Sequence, residues 1–260
     1  MSAAPDLFRI DGKVALLTGA TRGIGLAIAQ AMARAGATVV ISSNEPEECE
    51  RVAAEIRATG ADAIAIPCDV ANHEQIDSLV SSTLTARSHI DILVCNAGVA
   101  PHMGPLATAS DADWDLTMTV NLRSQHWLTS LVAPRMAQRG GGSVIIVSSI
   151  SSVRGNKAIG LYGLSKAASA QLARNLAVEY GPSNVRANAI SPGLIRTQFA
   201  APLLDNAAVL ERRLSLTPLR RVGEPHEIAG VAVMLASPAG AFITGQNLIV
   251  DGGTTISDGN

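Results

Sequence analysis

Short, continuously apolar runs alternate with longer stretches of helical periodicity from residue 13 to the C-terminal region. Val14 to Thr18 reads as a buried strand. An Ala-rich helical stretch follows from about Gly23 to Ala35, and a second apolar run covers Thr38 to Ile41. Strands that are apolar at every position, joined by helices, predict a parallel sheet covered on both faces. The same alternation continues with a helix near Glu47 to Thr59, a strand near Ala63 to Ile66, a helix near His73 to Ala86 and a strand near Ile90 to Cys95. One long helix is predicted from about Asp111 to Gln138, leading through Gly140-Gly141-Gly142 into a strand that ends at Ser148 or Ser149. Beyond it come a helix from Leu161 to about Tyr180, a strand near Arg186 to Ile190, a less regular segment from Pro192 to Pro218, a helix near Pro225 to Leu235 and a last strand near Asn247 to Val250. The pattern predicts an α/β fold: a single-domain, Rossmann-type, doubly wound parallel sheet of seven strands with helices on both faces. No linker or internal repeat divides the 260 residues, so one domain over 1–260 is expected.

Composition narrows the partners. Hydrophobic residues make up 47% of the chain and charged residues 16%, which suits a compact core. Twenty basic against twenty-two acidic residues leave a formal charge of -2, without the basic stripe that nucleic-acid binding requires. Three cysteines, Cys49, Cys68 and Cys95, show no Cys-x-x-Cys spacing, so neither a zinc site nor a disulfide framework is indicated and no metal is expected. The stretch from Met1 to Ile10 lacks an apolar signal core, and no run reaches the length of a membrane span. A cytoplasmic protein with no membrane or nucleic-acid partner is expected.

The chemistry gathers at two places. The turn Thr18-Gly19-Ala20-Thr21-Arg22-Gly23-Ile24-Gly25 joins the first strand to the first helix. Glycines there permit a tight turn and close backbone approach, so that a diphosphate can rest on the free amides and positive end of the helix. Tyr162 and Lys166 stand four residues apart in a predicted helix and therefore share a face. A fixed ammonium beside a phenol favours the phenolate and tunes it for acid-base work. Four serines, Ser148, Ser149, Ser151 and Ser152, crowd the preceding loop, and residue chemistry by itself does not choose among them.

Taken together, Gly19, Gly23 and Gly25, Asn96-Ala97-Gly98, Ser149, Tyr162-x-x-x-Lys166 and Pro192-Gly193 resemble the short-chain dehydrogenase/reductase family in its shorter, single-domain subgroup, in order from about Lys13 to Gly253. The resemblance implies an NAD(P)-dependent alcohol dehydrogenase or ketone reductase. Tyr162 would exchange a proton with the substrate oxygen, Ser149, thirteen residues upstream, would hydrogen-bond that oxygen, and Lys166 would hold the nicotinamide ribose and lower the Tyr162 pKa. Asn121 would support a water chain to the lysine. The implied cofactor contacts are Gly19, Thr21, Arg22, Gly23, Ile24 and Gly25 in the turn; Ser43 and Asn44 after the second strand; Asp69 and Val70 near the adenine; and Asn96, Ala97 and Gly98 after the fourth strand. Tyr162 and Lys166 belong to this set too, with Pro192, Gly193, Ile195 and Thr197 flanking the carboxamide. Cys95 replaces the first asparagine of the family's Asn-Asn-Ala-Gly, which puts one sheet-stabilising hydrogen bond in doubt.

At the end of the second strand, Ser42-Ser43-Asn44 offers no acid to bond the ribose hydroxyls, and Arg22 could reach a 2′-phosphate, so NADP(H) is favoured over NAD(H). Glu45 and Glu47 count against it. A substrate lid at about residues 196–218 is implied, carrying Phe199, Leu203, Leu204, Val209, Leu210 and Leu214 and suggesting a hydrophobic or alicyclic substrate. Arg212, Arg213, Arg220 and Arg221 leave a 3-oxoacyl thioester on a carrier as an alternative, and an idle cofactor-binding protein of the same fold is a further one. His102, Met103, Trp114 and Trp127 are candidates to reach the pocket. The resemblance also implies a homotetramer, with small-residue faces at Ala167, Ala168 and Ala170.

Overall fold

The computed structural model describes residues 6–257; the outermost residues of the N-terminal stretch read above lie outside them. Seven strands form one parallel sheet in the order β3-β2-β1-β4-β5-β6-β7. They are β1 Val14–Thr18, β2 Thr38–Ser42, β3 Ala63–Ala65, β4 Ile92–Cys95, β5 Gly142–Val147, β6 Val185–Pro192 and β7 Asn247–Val250. β1 lies between β2 and β4, so the chain reverses its winding there, and the loops after β1 and β4 meet at the carboxyl edge of the sheet. A crevice at such a switch point is where doubly wound sheets bind ligands.

The helices are α1 Gly23–Arg34, α2 Pro46–Ala58, α3 His73–Arg87, α4 Asp111–Met118, α5 Ser124–Gln138, α6 Gly160–Tyr180, α7 Ala201–Leu204, α8 Ala207–Ser215 and α9 Pro225–Ala236. Alternate residues of each strand feed opposite faces, because successive side chains point to opposite sides of a pleated strand. Ala15 and Leu17 of β1 join Ile28 and Met32 of α1 and Ile228 of α9, whereas Val14 and Leu16 join Leu79 of α3, Leu128 of α5 and Ala173 of α6. Both faces are therefore covered, which explains why the strands are apolar throughout. No helix of the described residues is long and apolar enough to cross a membrane.

Two expectations change. The long helix of 111–138 is interrupted by a π turn, Thr119–Arg123, which widens the coil around Asn121. Asn121 is fully buried, and its amide bonds both backbone groups of Val99, giving at 2.9 Å and taking at 2.8 Å. That pairing ties the widened turn to the loop after β4. The segment expected to be irregular, Pro192 to Pro218, contains α7 and α8. Asn206 starts α8 by accepting the Val209 N–H at 3.1 Å, a side-chain cap of about 1 kcal/mol that a scan for long apolar periodicity overlooks.

Candidate active site

The site lies along the carboxyl edge of β1, β4, β5 and β6. β5 ends at Val147, and Ser148 and Ser149 follow it directly. The structure distinguishes the crowded serines. Ser148 is buried and donates to the Lys166 carbonyl at 2.8 Å, while Ser152 pairs with Ser191 at 3.2 Å. Ser149 stands against the Tyr162 phenol and accepts the Ser151 N–H at 3.1 Å. Helix α6 carries Tyr162 and Lys166 on one face, with Lys166 Nζ 5.6 Å from the centre of the tyrosine ring.

Electrostatics differ from the sequence expectation in one respect. The net shift of the Tyr162 phenol is upward. Burial pushes the Tyr162 phenol up to about 12, opposed only by the Ser149 hydrogen bond. Burial likewise pushes the Lys166 ammonium down to about 8. Desolvation disfavours whichever form is charged, so it moves an acid and a base in opposite directions. The Lys166 ammonium is held by donating to the Val147 carbonyl at 2.8 Å.

Asn121 joins this group from the π turn. Its amide donates to Ser165 Oγ at 3.0 Å, and Ser165 Oγ donates to the Tyr162 carbonyl at 2.8 Å, linking the widened turn to the helix that carries the phenol. Ser165 was not among the sequence candidates; its only signal is its place between Tyr162 and Lys166. Gly98 closes the group, since a Cβ there would lie 3.3 Å from Lys166 Nζ and 3.4 Å from Asn121 Oδ1.

The glycine turn lies beside it. A Cβ on Gly25 would fall 2.0 Å from the Gly19 carbonyl oxygen, so the turn tolerates no side chain there. Helix α1 begins after Arg22 with no side-chain cap and no acid in its first turn, which leaves its leading amides available to an anion. These features fit the diphosphate of a dinucleotide. Thr21 is buried and Ile24 half-buried behind the turn. Asn96 bonds the turn to β4 by donating to the Thr18 and Gly19 carbonyls at 3.2 and 2.8 Å, while Cys95 is buried in the strand.

The remaining candidates fall around the same edge. Ala97 follows Asn96 toward Gly98, and Pro192 ends β6 with the Gly193 N–H donating to the Val250 carbonyl at 2.9 Å. Ile195 is buried, and Thr197 packs its methyl over Gly23, so the loop after β6 reaches the glycine turn. Val70 is buried beside Asp69, whose carboxylate accepts the Ala71 N–H at 2.9 Å. Ser43 is buried and accepts the Glu45 N–H at 3.2 Å, and Asn44 is exposed.

Trp127 leaves the list of pocket candidates. It stacks on His73 of α3 with ring centroids 4.5 Å apart and an interplanar angle of 18°. The basic cluster also separates: Arg221 pairs with Glu227 at 2.6 Å, and Arg220 donates to the Ser215 carbonyl.

A family model described as "Enoyl-(Acyl carrier protein) reductase" matches residues 19–255. Dehydrogenase/reductase SDR family member 4 of Bos taurus is 39% identical over 245 residues, covering 94% of this chain and 88% of that protein. A gluconate 5-dehydrogenase from Burkholderia cenocepacia J2315, solved with NADP and tartrate, superposes with a TM-score of 0.94 at 36% identity, covering 97% of this chain and 98% of the other. A 7α-hydroxysteroid dehydrogenase solved with NADH and 7-oxo glycochenodeoxycholic acid superposes with a TM-score of 0.91 at 36% identity, covering 95% and 96%. On sequence and on fold alike, the chain belongs to the short-chain dehydrogenase/reductase family.

Proposed function

We propose that this protein is an oxidoreductase that interconverts a secondary alcohol and a ketone with a nicotinamide cofactor, NADP(H) in preference to NAD(H). The observation that carries the reading is the buried Tyr162 phenol with the Ser149 hydroxyl against it and Lys166 one helical turn away, beside a turn whose Gly25 leaves no room for a side chain. A bound nicotinamide would supply or accept the hydride at the substrate carbon. The protein handles the oxygen. Ser149 hydrogen-bonds it, and Tyr162 gives it a proton during reduction or removes one during oxidation. With its pKa near 12 the phenol is protonated at neutral pH, the form that reduces a ketone. Lys166 keeps a positive charge at the back of the site, and Asn121 with Ser165 holds the helix that carries both residues.

Residues 196–218 form the substrate lid in this reading. Neither α7 nor α8 has a buried residue, so these two helices rest lightly on the body, and Phe199, Leu203, Leu204, Val209, Leu210 and Leu214 supply an apolar cover. A hydrophobic or alicyclic substrate suits that cover. The solved relatives hold a hydroxy acid and an oxo-steroid, both bearing the carbon type proposed here. Copies of the chain assemble as a homotetramer, a reading supported by the exposed Ile249 of β7, Phe242 shortly before it and Val178 of α6. The buried, unpaired thiols Cys49, Cys68 and Cys95 support a reducing compartment, the cytoplasm.

The test is Tyr162→Phe, assayed on a panel of ketones and secondary alcohols at 340 nm with both cofactors. Turnover should fall by about 10²–10⁴-fold, the contribution of a positioned acid-base group, with the fold and nucleotide affinity retained. Turnover near the wild-type rate sinks the mechanism. A higher kcat/KM with NADH than with NADPH in the wild-type protein sinks the cofactor preference alone.

A further inference from the structure

Beyond the catalytic residues, an open cleft of about 660 Å³ runs from the start of α1 to the loop after β6, lined among others by Thr21, Arg22, Gly23, Glu45, Arg196 and Thr197. Its cations are already engaged. Arg22 Nη1 donates to both carboxylate oxygens of Glu45, at 2.8 and 2.9 Å. Arg196 pairs with Glu224 at 2.9 Å, and Arg51 pairs with Glu48 and Glu55. Glu45 is well anchored for this task. It is the residue that precedes α2, with its N–H bonded to Ser43 Oγ, so its side chain leaves the end of β2 directly toward the glycine turn.

We propose that Glu45 moderates the cofactor selectivity of this protein: its carboxylate occupies Arg22 as a built-in stand-in for a 2′-phosphate and must release it before a 2′-phosphorylated adenosine can bind there. The inference rests on reading the Gly19 to Gly25 turn as a nucleotide site. A guanidinium takes carboxylate and phosphate oxygens with the same charge-assisted geometry, so the two anions compete for one donor set. A nucleotide with a free 2′-hydroxyl leaves the ion pair intact. One with a 2′-phosphate must break it and then sit beside the displaced carboxylate. Because the side chains of Arg22 and Glu45 are 60% and 40% exposed, rupture of the pair weakens binding only modestly, up to about fivefold, and repulsion from the freed carboxylate adds to that. Whatever preference for NADP(H) Arg22 confers is thereby tempered, and the tempering residue is the acid.

The test uses adenosine 2′,5′-bisphosphate and AMP, titrated calorimetrically into the wild-type protein, Glu45→Gln, Glu47→Gln and the pair Arg22→Ala and Arg22→Ala/Glu45→Gln. Thermal melts establish that each variant folds. Glu45→Gln should bind the bisphosphate at least about threefold more tightly, the scale of one exposed ion pair, with AMP affinity unchanged. Glu47→Gln should change neither affinity. On the Arg22→Ala background the Glu45 substitution should lose most of its effect, because the two residues act through one contact. Weaker bisphosphate binding by Glu45→Gln would mean that Glu45 positions Arg22 instead of competing for it, and would overturn the proposal. An equal gain for both nucleotides, or for Glu47→Gln, would reduce the effect to general charge and also overturn it. If the wild-type protein binds neither nucleotide, the nucleotide reading of the turn falls as well, a result distinct from one in which both bind and only their ratio fails to move.

Discussion

The ring of Phe199 lies 5.8 Å from the ring of Tyr162, centre to centre, tilted by 39°. Phe199 lies in the short turn Gln198–Ala200 ahead of α7 and is itself more than half exposed. The Tyr162 phenol therefore has one apolar neighbour on this segment. Phe199→Ala should raise KM for an apolar ketone severalfold, since a partly buried aromatic ring contributes roughly 1–2 kcal/mol of contact. Nucleotide affinity should be unchanged. Steady-state kinetics with a separate nucleotide titration checks both, and an unchanged KM would remove Phe199 from the substrate pocket.

The Lys166 ammonium, held near pKa 8 by burial, has a signed consequence for stability. Below about pH 8 both folded and unfolded chains carry the proton, and the folded state bears the whole cost of burying the charge. Between about 8 and the ordinary value of 10.5 the unfolded chain keeps a proton that the folded chain has released, so stability rises with pH. That interval corresponds to about 3 kcal/mol. Lys166→Met lacks the penalty, so its stability relative to wild type should decline across this window. Buried thiols such as Cys95, pushed up to about 12, act in the opposite direction above their ordinary pKa but are present in both proteins. Urea midpoints at pH 7.5, 9 and 10.5 measure the difference; a constant difference would contradict the burial argument.

Asn121 satisfies both backbone groups of Val99 and reaches Ser165, so its replacement leaves polar groups without partners at the edge of the site. Asn121→Ala should cost about 1–3 kcal/mol, read as a melting-temperature drop of several degrees. Activity should fall further than stability explains, because the loss propagates through Ser165 to the helix carrying Tyr162. Hydrogen exchange of the Val99 amide would report the broken contact directly, and unchanged protection there would refute the assignment.

Phe242 is fully exposed, close in sequence to β7, the strand that ends the sheet. An open strand edge with large apolar side chains near it is a surface that another chain can cover. Light scattering should give a mass near four times the 26.8 kDa chain, and Phe242→Asp should shift it to a smaller species. A wild-type monomer would defeat the assembly reading.

The sequence by itself determined the architecture and the helical pairing of Tyr162 with Lys166, because both are written in local pattern. Strands apolar at every position required a sheet covered on two sides, and the glycine turn between the first strand and the first helix marked the crevice where β1 and β4 diverge. Tyr162 and Lys166 share a helical face by spacing, and this the structure bears out. What depends on partners distant in the chain was decided only by the tertiary structure. Burial, a property of everything packed around a side chain, turned the Tyr162 shift upward against the pull expected from Lys166. Asn121, in its π turn, finds partners for its amide in Val99, 22 residues away. Trp127 stacks on a helix that precedes it by some fifty residues, and Arg22 finds Glu45 because β1 and β2 pair side by side. Periodicity records which face of an element is apolar; it carries no record of which polar group on another element will stand opposite, and that opposition sets the charges of this site.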